Sequence, residues 1–67
     1  MTAFEVFDRM ISGRKVKITP EFRKEWNKEN LGQWFDILAL NADGTAKLCG
    51  VNHDIFNNAP IKELNSN

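Results

Sequence analysis

Two strand-like runs, the mostly apolar Trp34 to Leu40 and the alternating Thr45 to Cys49, flank the tetrapeptide Asn41-Ala42-Asp43-Gly44. This pattern predicts a β-hairpin over Gln33 to Gly50, the stretch around which the chain is organised. Asn and Asp side chains bond to nearby backbone, and Gly44 accepts a positive φ at little cost, so the turn fits a four-residue loop built on a type I turn. Pairing Leu40 with Thr45 places Ala39 opposite Ala46, Ile37 opposite Leu48 and Phe35 opposite Gly50. One side of that ribbon is wholly apolar, which favours the register. The other side carries Trp34, Asp36, Leu38 and Leu40 opposite Cys49, Lys47 and Thr45, with more apolar area than a solvated face needs. Either an N-terminal helix or another molecule is expected to cover it.

Upstream, Phe4, Phe7, Met10 and Ile11 recur at helical spacing behind a Thr2/Glu5 capping box, and Gly13 follows as a helix stop. A helix over Ala3 to Ser12 results. Lys15 to Thr19 alternates with a period of two, so Val16 and Ile18 face inward and Lys15, Lys17 and Thr19 outward on a half-buried strand ended by Pro20. Pro20 to Asn30 reads either as a helical turn begun at Pro20, with Phe22 and Trp26 on one face, or as a long loop. Beyond Gly50, a strand is expected around Asp54 to Phe56, with a turn or bulge at Asn57 and Asn58. Ile61 to Leu64 reads as one helical turn or a short closing strand. The expected core is Phe7, Ile11, Val16, Ile18, Phe35, Ile37, Leu48, Ile55 and Ile61.

Sixty-seven residues suffice for one domain with a thin stability margin. Residues 1–13 are read as the helix, 14–64 as a small sheet domain and 65–67 as a polar tail. Nine basic and nine acidic residues cancel, which argues against a dedicated nucleic-acid binder. The single cysteine, Cys49, excludes an internal disulfide. No apolar run approaches the roughly 18 residues of a membrane span, and the N-terminus lacks a secretory pattern. A cytoplasmic protein with no membrane contact is expected.

The strand KVKIT, the stretch PEFRKEWNKENLG, the NADGT turn and the closing PIKEL resemble small SH3-like barrels of the KOW type over about Arg14 to Leu64. The resemblance leaves the N-terminal amphipathic helix outside and implies a five-stranded SH3-like barrel after it, so that the whole is expected to be a mainly β (α+β) fold. Such barrels bind peptides, RNA and protein partners, so the fold leaves function open. The start, acidic loop and paired tryptophans of peptide-binding SH3 domains are missing.

Little in the sequence suggests catalysis. Cys49 and His53 are two of the four N or S ligands a structural zinc needs, and no third group completes a Cys–His nucleophile. The glycines form no phosphate loop. Glu21, Glu25 and Glu29 alternate with Arg23, Lys24 and Lys28 as a solvated face. No enzyme activity and no cofactor or metal are expected. The favoured reading is a protein–protein interaction module, a small bacterial or phage accessory protein. It would bind a larger partner through Trp34, Leu38, Leu40 and Trp26, as a monomer or weak homodimer. The alternative is an RNA- or DNA-binding adaptor using Arg14, Lys15, Lys17, Arg23, Lys24 and Lys28, with Phe22 and Trp26 stacking on bases. Arg14 to Asn30 holds six basic and three acidic residues.

Overall fold

A computed structural model of the chain describes residues 1–22 and 34–66. It is a small α+β fold. Among the described residues, helix α1 (Ala3–Ser12) precedes strands β1 (Lys17–Ile18), β2 (Asp36–Leu40), β3 (Thr45–Cys49), β4 (Ile55–Pro60) and β5 (Leu64–Asn65). A 3-10 turn, Ile61–Glu63, separates β4 from β5. The strands form two antiparallel sheets, β2-β3-β4 and β1-β5. Pro20, Glu21 and Phe22 are helical. The rest of the stretch for which a helical turn or a long loop was expected lies outside the described residues.

The ends of α1 form where their local chemistry dictates. The Thr2 hydroxyl accepts from the Glu5 amide at 3.2 Å, and the Glu5 carboxylate accepts from the Thr2 amide at 3.0 Å. Gly13 takes φ 71°. The Arg14 and Gly13 amides then donate to the Arg9 and Met10 carbonyls, closing the helix in the glycine-dependent manner.

The hairpin pairs Ile37 with Leu48 as expected, and Asp36 with Cys49. A β-bulge between Ile37 and Ala39 then shifts the register, so that Ala39 pairs with Lys47 and Leu40 with Ala46. The expected Leu40–Thr45 and Ala39–Ala46 pairs are therefore displaced by one residue. Asn41 instead donates to the Thr45 carbonyl at 2.8 Å and accepts from the Gly44 amide at 3.3 Å. The loop shortens to three residues, with Gly44 at φ 83°. Asp43 accepts from the Thr45 amide. The Asn41 side chain donates to the Asn57 carbonyl, tying the turn to β4. Asn57 and Asn58 lie in the second bulge, between the Ala46–Ala59 and Leu48–Phe56 pairs.

The core comprises Val6, Val16, Ile18, Phe35, Ile37, Ala46, Leu48, Ala59, Ile61 and Leu64. Six of the nine expected core residues are among them, and Phe7, Ile11 and Ile55 are not. At 100° per residue, the apolar side chains of α1 form a stripe roughly 160° wide, more than a domain this small can cover. Val6 and Met10 turn inward, which leaves Phe7 and Ile11 outside. On β4, Phe56 rather than Ile55 pairs with the buried Leu48 and packs on the core. Its ring stacks on Phe22 with centroids 5.7 Å apart.

β1 is shorter than the strand expected over Lys15 to Thr19, and the residue before it makes the link to the other sheet. Its residues pair with Asn65 and Leu64. The preceding Val16 forms a bridge with Phe35. Asn65, expected in a polar tail, thus belongs to β5. The Thr19 amide donates to the Glu63 carbonyl at 2.9 Å.

Two expectations follow. Phe35 is fully buried, so Phe35→Ala should cost about 3–5 kcal/mol, a large part of a small domain's stability, measurable by urea unfolding. The hydrogen bonds from Thr2, backbone first and side chain second, hold the Glu5 carboxyl below its ordinary value of 4.5. A lowered folded-state value stabilises above the ordinary value and loses that contribution as pH falls through the folded one. The gap in melting temperature between wild type and Glu5→Gln should therefore narrow on acidification below pH 4.5.

Candidate interaction surfaces

The helix offers one surface. Residues at i, i+3 and i+7 share a helix face, and Phe4, Phe7 and Ile11 are 78, 46 and 66% exposed. They do not cover the row on β2. The helix packs on the sheet through its other edge, with Val6 inside the core and Met10 against it. The width of its apolar stripe was the available signal that α1 could serve two surfaces; the expectation that it would bury Phe7 and Ile11 missed this.

The outward side of the sheets offers the second. Strand alternation points Trp34 and Asp36 away from Phe35 and Ile37, and the Val16–Phe35 bridge brings Lys15 and Lys17 beside them. The Lys17 ammonium sits 4.7 Å from the centroid of a Trp34 ring, an attraction of about 0.5–1 kcal/mol at an exposed site. Lys15 Nζ lies 3.4 Å from Asp36 Oδ1, with both side chains about half exposed. Such a pair contributes at most about 1 kcal/mol and is screened by salt. Lys15, Trp34 and Asp36 line an open hollow of about 270 Å³, together with Cys49, Gly50, Val51 and His53.

His53 sits in an unusual backbone position. The Gly50 amide donates to the Asp54 carbonyl at 2.8 Å, and the His53 amide donates to the Gly50 carbonyl at 3.2 Å. This is the geometry of the Asn41–Thr45 turn, repeated. Where the first turn uses Gly44, the second uses His53 at φ 60°.

The expected protein-binding set is divided. Trp34 and Leu38 are 39 and 48% exposed. Leu40 is not on their side, because the bulge at Leu38 pairs it with fully buried Ala46 and turns it against the core. Trp26 lies outside the described residues. Of the expected basic set, Lys15 and Lys17 line the Trp34 side, and Arg14 is exposed just past the helix stop. Arg23, Lys24 and Lys28 lie outside the described residues. Among the described residues no group of three metal-binding side chains converges, and no helix is long and apolar enough to cross a membrane.

Comparison with protein-family models, curated proteins and solved structures finds no match for this chain.

A non-glycine residue in the left-handed region costs about 1–3 kcal/mol, at the low end for histidine, which tolerates it better than most. His53→Gly should therefore stabilise the domain by about 1 kcal/mol, before the entropy glycine adds to the unfolded chain is subtracted. Urea unfolding checks this; a variant destabilised by more than about 1 kcal/mol, beyond what glycine entropy removes, would mean that the imidazole makes compensating contacts.

Proposed function

We propose that this chain is a non-catalytic protein-interaction module that docks on a larger protein through α1. The observation carrying the reading is the outward row Phe4, Phe7 and Ile11 on a helix whose opposite edge is fixed in the core. Large apolar side chains on one helix face are the anchors of helix-in-groove recognition. The helix is held at both ends by its own caps, so little ordering remains to oppose binding. Trp34 and Leu38 supply a separate contact on the outward side of β2, as an extension of the same role.

The scaffold is proposed to be an SH3-like barrel. The antiparallel pairing of the first strand with the last, the 3-10 turn before the last strand, and the Val16–Phe35 bridge between the two sheets support that reading.

A second reading, contact with nucleic acid, is favoured by one specific observation: Lys17 over Trp34, with Lys15 alongside. An exposed aromatic ring flanked by cations is a platform for an unpaired base and its phosphate.

The test of the first reading is a pull-down with the chain and with a Phe4→Gln, Phe7→Gln, Ile11→Gln variant, each with and without nuclease. Glutamine keeps helix propensity, and Val6 and Met10 still anchor the helix. A nuclease-resistant protein should be captured at least ten times less by the variant. Equal capture would remove α1 from the contact. Sedimentation of the isolated chain separates self-association through α1 from docking on another protein.

A further inference from the structure

We infer that the hollow beside Trp34 takes the base of an unpaired guanine nucleotide, either free or within a single strand. The inference rests on the nucleic-acid reading of this face and gives it a specificity. The hollow, about 270 Å³, falls just below the roughly 300 Å³ at which sites for drug-sized molecules begin. It suits one planar ring system. Trp34 lines it and is exposed enough to be covered by a stacked base.

Asp36 decides the chemistry. Its carboxylate lines the same hollow, and an ionised carboxylate only accepts, through two oxygens side by side. That rules against a site for phosphate alone, which the carboxylate would repel. Guanine offers two adjacent donors on its pairing edge, the N1 hydrogen and the N2 amino group. Adenine puts an acceptor at N1, cytosine puts one at N3 beside its amino group, and uracil flanks its single N3 hydrogen with two carbonyls. Only guanine can give both carboxylate oxygens a hydrogen bond at once. Recognition of unpaired bases by stacking plus contacts to this edge is a general mode.

The cations complete the site. Lys15 is held to Asp36 by one exposed contact of 3.4 Å, and Lys17 rests on the indole. Lys15 lines the hollow and Lys17 stands beside it, outside that lining; both side chains are long and flexible enough to turn to the phosphate of a bound nucleotide.

The experiment is calorimetric titration of the whole chain with 5′-GMP, 5′-IMP, 5′-AMP and 5′-UMP, and with the pentaribonucleotides UUGUU and UUAUU, at low salt. GMP should bind at least tenfold more tightly than AMP, with IMP, which lacks the N2 amino group, between them. Asp36→Asn should remove the preference while leaving AMP binding in place, and circular dichroism should show the fold unchanged, since Asp36 is exposed. Trp34→Ala should weaken every ligand at least tenfold. If UUGUU binds more tightly than GMP and weakens steeply with salt, the nucleotide belongs to a strand; equal affinities mean a free nucleotide. Equal binding of GMP and AMP, or a preference that survives Asp36→Asn, overturns guanine selection but leaves the Trp34 platform if Trp34→Ala still weakens binding. Absence of binding by every ligand overturns both.

Discussion

The backbone exchange between Val16 and Phe35 holds the two sheets together. The Phe35 amide donates to the Val16 carbonyl at 2.7 Å and the Val16 amide returns the bond at 3.0 Å. β1 is otherwise a two-residue strand paired only with β5, too little to be stable by itself. The Phe35 ring completes the joint. It is fully buried, and a Cβ at Gly50 would meet it at 3.2 Å. A bare backbone at the end of β3 thus lets the largest core side chain seat itself. The same junction places Lys15 and Lys17 against Trp34 and Asp36, so the outward hollow and the inward core depend on one pair of residues.

A domain of this size cannot bury all its apolar side chains, and α1 shows how the surplus is distributed. Val6 and Met10 satisfy the core. The remaining apolar row faces water, although its caps make the helix as well formed there as on its buried edge. A helix that supplies few anchors to its own core has more surface to give to a partner. The basic and aromatic groups lie apart from this row, on the outward side of the strands, so the two proposed contacts do not compete for the same residues.

Local chemistry was legible in the sequence and long-range packing was not. Thr2, Glu5 and Gly13 fix the ends of α1 through neighbours within a few residues, and Asn41 to Gly44 fix the first turn in the same way. Ile37 opposite Leu48 followed from the apolar ribbon. The bulge at Leu38 did not, because Leu38, Ala39 and Leu40 are all apolar and satisfy an inner face in either register. The second turn was hidden because His53 stands where glycine would have announced it. The inward choice of Val6 over Phe7 depends on how closely the sheet approaches the helix, and the directly paired Ala46 and Ala59 are both buried despite their size. For the outward hollow, alternation assigned Lys15, Lys17, Trp34 and Asp36 each to an outer face. Only the bridge between Val16 and Phe35 brought those faces side by side.

The extra residue at Leu38 also shapes the ribbon. A bulge bends its strand and sharpens the right-handed twist, and this sheet has one in β2 and another in β4, on either side of β3. Regular pairing of the same three short strands would lack both of these bends. Curvature here is written as two added residues in the outer strands, and the central strand serves as the straight edge against which both are measured.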